Sequence, residues 1–388
     1  MDGWIRRNGT PNRRDRRYRS DVSSPISTRT PTEIIIGKAK SLLTLTDRGL
    51  YCEPGGFYVD PWRPVDRAIV THAHSDHACY GCRHYLGAET SRELFRLRLP
   101  PDAEYQFVHY GETISVGGVA VSLHPAGHIL GSAMVRMEYR GYVALVTGDY
   151  KLGNDLTCQP FAPVRCDLMV TESTFGLPLY RWTDQQLTFD AINRWWQETK
   201  DEGRVSILYG YAVGKSQRLL SGLDPSIGTI YTHGAVEKGT QAYRDTGVLM
   251  PPTVPVAETQ RGTSYAGSMV VAVPSAHGTP WMRRFGDAST AMASGWMTIR
   301  GARRRRAVDR GFVLSDHADW SGLLSAIAAC GAEQVWVTHG YTAVLSRHLQ
   351  SLGLDAAALT TRYGNEDEID AVADASGAVT VGIKEQIV

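Results

Sequence analysis

No apolar run in the 388 residues approaches the ~18 that a membrane-spanning helix needs, which excludes a helical membrane protein. No heptad pattern suggests a coiled coil, and no fixed-period repeat is visible. Charge of one sign is not in excess either: 41 Lys plus Arg stand against 40 Asp plus Glu, a formal net charge of +1. Six cysteines are too few in a chain this long for a disulfide scaffold and fit a reduced, cytoplasmic setting. What is there is 43% hydrophobic and 21% charged residues, the balance of a soluble globular protein rather than a disordered one. Glycine, at 39 residues, is above its usual share of ~7% and points to many tight turns. The length suggests two or three domains, or one domain carrying a large insertion.

Residues 1–33 stand apart. Arg6, Arg7, Arg13, Arg14, Arg16, Arg17 and Arg19 crowd among Ser, Thr, Pro and Asn, as in a disordered basic arm. Such an arm is either a solvated tail or a source of non-specific phosphate affinity. It has no apolar core for a secretory signal, and Asp2, Asp15 and Asp21 weaken an organellar transit reading. From Ile34 onward, short β-rich runs alternate with Gly-rich turns: Ile34–Ile36, Phe57–Val59, Ala68–Thr71, Val119–Leu123, Tyr142–Val146 and Leu168–Thr171. Residues 184–200 read as a helix with Thr183 as N-cap, Gln186 three residues on, Gly203 beyond the end, and Leu187, Ala191, Ile192 and Trp195 on one face. Gly214–Leu223 reads as a second helix, 225–311 as short strands and turns, and Phe312–Leu314 and Trp336–Thr338 as further strands.

The most informative stretch is His72-Ala-His74-Ser-Asp76-His77, directly after the apolar run Ala68–Thr71. Imidazole nitrogen suits zinc and similar metals, and a carboxylate can complete such a site. On an extended loop His72 and His74 can point the same way, while Asp76 and His77 enter the following turn and can point to a second metal.

His-x-His-x-Asp-His after a strand resembles the signature of the metallo-β-lactamase superfamily of binuclear hydrolases. The superfamily's other motifs find matches in order. Asp60, at the end of Gly56-Phe-Tyr-Val-Asp60, matches the aspartate that orients the metal loop from behind. His128, in Ala126-Gly-His-Ile-Leu-Gly-Ser132, matches the third-motif histidine, and Asp149, in Thr147-Gly-Asp149, the bridging aspartate. Glu172, then a long insertion, then His317 in Ser315-Asp-His-Ala-Asp319 and His339 in Thr338-His-Gly340 resemble motifs A, B and C of the β-CASP nucleases. Asp60-Pro-Trp-Arg-Pro-Val-Asp-Arg67, Tyr211-Ala-Val-Gly-Lys215 and Gly311-Phe-Val-Leu-Ser-Asp-His317 look most like the bacterial ligase-associated DNA exonucleases. Two positions depart from common patterns. Motif A is Glu172 where many members carry Asp. Motif C is histidine, as in the RNA-processing branch, where the interstrand-crosslink repair branch usually has an apolar residue.

The resemblance implies an α/β fold: an αββα sandwich over 34–176 and 312–388, interrupted by a β-CASP cap at 177–311. It implies two divalent metals, zinc foremost and manganese as the alternative. One is held by His72, His74, His128 and Asp149, the other by Asp76, His77, Asp149 and His339. It implies DNA exonuclease activity in DNA repair, with a metal-bridging hydroxide as nucleophile, Asp76 at the reacting centre, and His317 as general acid oriented by Glu172. A DNA ligase and a helicase are the implied functional neighbours, and no membrane is involved. Three alternatives stay open: the same chemistry on RNA, hydrolysis of a small lactam or thioester, and a catalytically dead scaffold that binds nucleic acid.

Other features are read from the residues alone. Gly214-Lys215-Ser216 lacks the upstream glycine of a Walker A loop, but Lys215 at a helix start suits a phosphate contact. Arg303, Arg304, Arg305 and Arg306, with Arg300 and Arg310 nearby, suit a phosphate-binding ridge. Cys79-Tyr-Gly-Cys82 reads as free cysteines rather than as an isolated zinc pair, and Trp195 and Trp196 as core rather than base-stacking residues. His84, His109, His124, His233, His277 and His348 match no motif, and His277 is the most suggestive of them.

Overall fold

The computed structural model describes residues 42–299 and 307–360. The basic arm, the strand expected at Ile34–Ile36, and Arg303–Arg306 lie outside the described residues. Three sheets organise the rest. The first runs β1 (Leu43–Thr46), β2 (Gly49–Cys52), β3 (Phe57–Val59), β4 (Arg67–Ile69), β5 (His84–Ala88) and β6 (Glu104–Val108), hydrogen-bonded in sequence order. The second is built from β7 (Thr113–Val116), β8 (Val119–Pro125), β9 (Ala133–Tyr139), β10 (Tyr142–Val146) and β11 (Leu168–Glu172). The chain then leaves for the third sheet: β12 (Val205–Tyr209), β13 (Ile230–Thr232), β14 (Val254–Pro255), β15 (Met269–Ala272), β16 (Ala288–Ala293) and β17 (Arg310–Phe312). It returns to the second sheet with β18 (Gln334–Thr338), parallel to β11, and ends that sheet with β19 (Asp355–Ala358).

Period-two alternation decides which face each strand turns inward. On β8 and β9, Val119, Val121, Leu123, Ala133, Val135 and Met137 meet Val59, Ile69 and Leu86 of the first sheet in one core. The opposite face of the second sheet, with Met134, Leu145, Met169, Val335 and Val337, packs on helices Trp320–Cys330 and Thr342–Ser351. The outer face of the first sheet, with Ala68 and Tyr85, packs on helix Arg92–Arg98 through Leu94 and Phe95. These layers make the αββα sandwich expected from sequence. The third sheet is parallel throughout. Its central strands β12 and β15 are buried along their whole length, as both covered faces require.

Three local expectations need correction. The helix spans Gln185–Asp201, and its N-cap is Asp184, whose side chain accepts from Gln186 N, rather than Thr183. Its buried face is Phe189, Ile192, Trp195 and Trp196, while Leu187 is 63% exposed. The face therefore starts at Phe189, two residues later than the apolar pattern suggested, and shares Ile192 and Trp195 with it. The strand expected at Phe312–Leu314 is β17, ending at Phe312, and it pairs with β16 of the third sheet rather than with the sandwich. Trp195 and Trp196 are buried in the core of that sheet, as read from sequence.

Candidate metal centre

The loop after β4 carries His72, His74, Asp76 and His77; the loop between β8 and β9 carries His128; and Asp149 follows β10. All three loops leave strand ends at one edge of the sandwich. His72, His74, His128 and Asp149 each aim one donor atom into a space where these atoms lie within 4.8 Å of one another, as do Asp76, His77 and Asp149. Asp149 Oδ2 stands between the groups, 3.5 Å from His72 Nε2, 3.8 Å from His128 Nε2 and 3.4 Å from His77 Nε2. Gly148, just before it, has φ +56, and a Cβ there would sit 2.4 Å from Thr71 Oγ1. The aspartate can turn into the cluster only because its neighbour has no side chain.

Asp60 supports this arrangement from behind. Its Oδ1 accepts from Thr71 N at 2.8 Å, and its Oδ2 lies 2.6 Å from Thr71 Oγ1 and 2.7 Å from His77 Nδ1. A carboxylate on Nδ1 leaves Nε2 as the donor atom of His77, the usual way an outer partner fixes a ligand's tautomer. His77 Nε2 is buried with no hydrogen-bond partner, although such atoms are normally satisfied.

The electrostatics are compatible with a bound cation. Burial lowers the affinity of His72 and His128 for a proton, and neighbouring histidines push the same way, so both stay well below the usual imidazole range. His74 and His339 are also lowered, chiefly by burial. Neutral imidazole is the form that binds metal. Burial opposes charge on His77 too, but Asp149, Asp76 and Asp60 outweigh it and hold its pKa well above the ordinary value. Burial likewise works against ionised Asp149, yet His77 and His317 keep it well below the carboxylate range. Neutral imidazoles, ionised carboxylates and an orphaned buried nitrogen fit divalent metal. His339 stands beside His77, with ring centroids 5.4 Å apart, and its Nδ1 lies 3.1 Å from Thr338 Oγ1. It borders the converging donors without joining either group.

A second pair adjoins the cluster. His317 Nδ1 is 2.9 Å from Glu172 Oε2, while Glu172 Oε1 accepts from Tyr150 N at 2.8 Å. His317 lies 4.0 Å from Asp149 Oδ2, and its side chain is 19% exposed. Burial lowers its pKa, but Glu172, Asp149 and Asp316 more than offset this and raise it to about 9.

The other sequence candidates fall elsewhere. Lys215, expected as a surface phosphate contact, is 2% exposed. Its ammonium lies 2.5 Å from Asp316 Oδ1 and donates to Leu314 O. The glycine-led turn that looked like an anion site instead docks helix Lys215–Ser221 onto the sandwich. His277, in the turn after β15, pairs with Tyr209 of β12. All six cysteines are free, with Cys82 buried and Cys79 partly so.

What sequence reasoning missed is how the third-sheet unit and the segment returning from it to the sandwich grip the metal loops. His74 Nε2 lies 3.1 Å from Val213 O, and His128 Nδ1 lies 2.9 Å from Asp316 O. Arg218, 1% exposed, pairs with Asp155 and donates to Ser315 O, Gly127 O and His128 O. Lys151 donates to Ser315 O from the other side. The available signals were the Lys215/Arg218 spacing of three, which puts both cations on one helix face, and Asp316 inside Ser-Asp-His-Ala-Asp. Neither reveals a partner so far along the chain.

No protein-family model matches the chain. A stretch of 313 residues is 34% identical to a protein named probable DNA ligase from Opitutus terrae, covering 80% of this chain and 30% of that one. Another of 234 residues is 26% identical to an RNase J-like protein from Methanocaldococcus jannaschii, covering 51% of this chain and 54% of that one. A third, of 121 residues, is 33% identical to endoribonuclease YSH1 of Yarrowia lipolytica, covering 30% and 14%.

The chain belongs to the β-CASP branch of the metallo-β-lactamase superfamily. In this β-CASP protein the third sheet is the unit inserted between β11 and β18 of the sandwich. The chain spans less than a third of the ligase-named relative and about half of the RNase J-like one. Among the described residues no helix is long and apolar enough to cross a membrane.

Proposed function

We propose that this β-CASP protein is a metal-dependent phosphodiesterase that degrades DNA from an end and serves DNA repair. The observation that carries the reading is the Glu172–His317 pair standing 4.0 Å from Asp149 Oδ2. Hydrolysis of a lactam or thioester has no need of it, whereas a sugar oxygen leaving phosphorus needs a proton. His72, His74, His128 and Asp149 would hold one divalent metal, and Asp76, His77 and Asp149 a second, with His339 completing it by turning its ring inward. Zinc suits the histidine-rich set best, and manganese the carboxylates. Bound there, such metals make water a nucleophile at neutral pH and neutralise charge on the phosphoryl oxygens.

The protein's own part is positioning and proton delivery. Asp149 keeps the two donor groups in register. Asp60 and Val213 O fix the tautomers of His77 and His74. Glu172 occupies Nδ1 of His317 and stabilises the imidazolium, leaving Nε2 to hand its proton to the leaving oxygen. The convergence of His72, His74, His128 and Asp149 also argues against a dead scaffold.

Similarity to part of a protein named probable DNA ligase favours DNA as substrate and a ligase as functional partner, and the resemblance adds a helicase as a further neighbour. The endoribonuclease relatives and His339 favour a second reading, the same chemistry on RNA. Digestion of end-labelled single- and double-stranded DNA and RNA, each end blocked in turn, separates the readings. His317→Ala should lower turnover about 10²–10⁴-fold, the range for a lost general acid, with metal content unchanged. A substrate with a better leaving group should recover much of that loss. A parallel fall in metal content would make His317 a ligand instead.

A further inference from the structure

Five aromatic rings gather beside His317 from three separate parts of the chain. Phe175, Tyr180 and Trp182 follow β11, Trp296 follows β16 of the inserted unit, and Tyr341 lies two residues after His339. Phe175 is the hub. Its ring centroid is 4.9 Å from Tyr180, 4.8 Å from Trp182, 4.5 Å from Trp296 and 6.0 Å from His317. Tyr180 links Trp296, at 5.7 Å, to Tyr341, at 6.0 Å.

The seat of Trp296 is built with care. Ser294 Oγ accepts from Trp296 N and shapes the turn. Gly295 lies so close to the rings that a Cβ there would sit 2.5 Å from Phe175 and 2.9 Å from Trp182. Trp182 has a positioning task of its own, donating Nε1–H to His317 O and its backbone N–H to Asp319. Trp296 and Tyr341 are partly open. Core tryptophans of this protein look different: Trp195 and Trp196 are closed off entirely within the third sheet. Exposed Leu179 and Ile299 lie in the same two segments as Phe175 and Trp296.

An aromatic ring held rigid but left partly open, on the proton-donor side of a phosphodiesterase centre, suits one ligand class above others. Base–aromatic stacking is strong and tolerant of sequence, since every base has a π-face. We propose that Trp296, backed by Phe175 and Tyr180, stacks the nucleobase of the nucleotide on the leaving side of the scissile bond. This rests on the phosphodiesterase reading. It gives the inserted unit a role in gripping the base, while the sandwich grips the phosphate.

The test uses substrates with a single phosphodiester, so the scissile bond is defined: thymidine dinucleotide and its two forms lacking one base or the other. In the wild-type protein, removing the leaving-side base should raise KM about tenfold, as expected for one lost stack, with kcat little changed. Removing the other base should matter less. Trp296→Ala should raise KM on the full dinucleotide to that same level and show no added penalty for the missing base, and Trp296→Phe should recover part of the loss. Metal content should stay constant. If Trp296→Ala keeps the full base penalty, or loses activity equally on all three substrates, the stacking site is wrong. If the wild-type protein cleaves none of them, the phosphodiesterase reading has failed. Tryptophan-fluorescence titration with the same three compounds then decides stacking separately: base-dependent quenching lost in Trp296→Ala upholds it, and base-independent quenching overturns it.

Discussion

His77 is steadied by Asp60, 17 positions away on the neighbouring strand end, whereas His74 and His128 lean on carbonyls 139 and 188 positions distant in sequence. The two sides of one donor cluster are therefore held by different physics. On the sandwich side a single carboxylate, part-exposed to water, ties Thr71 and His77 together. On the inserted side, Lys215 and Arg218 reach across, each almost fully buried, to Asp316, Asp155 and a set of backbone carbonyls. Burial of such ions is costly unless every partner is present. The inserted side therefore couples docking of the whole unit to the shape of the metal loops, and the sandwich side tunes the ligands without holding the fold.

Variants can break this contrast. The largest effect is expected at the meeting point. His74→Ala removes a donor atom and the contact with Val213 O together, and should reduce hydrolysis to background with loss of bound metal. Turnover and metal content of the purified variant check it, and near-wild-type turnover in chelator-treated buffer would refute the metal centre. Next comes Arg218→Met, which leaves Asp155 buried and unpaired. Breaking a buried pair in this way costs about 3–5 kcal/mol, readable by urea denaturation. Adding Asp155→Leu should restore much of that stability, since removing both charges spares the desolvation penalty. A single variant as stable as wild type would show that the inserted side is not gripped there.

Asp60→Ala should do the reverse. Metal affinity should fall about 10–100-fold, the usual loss when an outer partner of a ligand is removed, while stability changes less than in Arg218→Met. Competition with a chelator measures it, and equal stability losses in the two variants would erase the distinction between the sides. The smallest effect is expected from replacing Arg303–Arg306 with Gln. If the inserted unit also carries phosphate contacts on its surface, the slope of log affinity against log salt should flatten by roughly 0.7 per lost contact on single strands and 0.9 on duplex. The metal centre should be untouched. An unchanged slope would leave the run as a solvated face.

The converging donors, His339 apart, were legible in the sequence because they sit in short motifs after apolar strands. A strand end followed by a tight loop leaves the histidines of His72–His77 little choice of direction. Asp60 was legible only through the resemblance, and it reaches the metal loop because β3 and β4 are neighbouring parallel strands whose ends come together. Trp195 and Trp196 were legible as core from helical spacing, although Leu187 was wrongly placed on the buried face because it is apolar and yet exposed. Lys215 was misread because a lysine after a glycine at a helix start looks the same whether the helix meets solvent or a buried aspartate.

Read through the motifs that resemble the β-CASP nucleases, the amino-acid sequence by itself pointed to the αββα sandwich, the interruption after β11 and, His339 apart, the residues whose donor atoms converge, because those motifs are short and sit at strand ends. Only the tertiary structure decided that Lys215 and Arg218 are internal, that Val213 and Asp316 lend carbonyls to His74 and His128, and that Trp296 meets Phe175 beside His317. Those contacts join segments roughly 90 to 190 residues apart, and their partners are chosen by how the third-sheet unit docks on the sandwich. No local pattern in the chain encodes that.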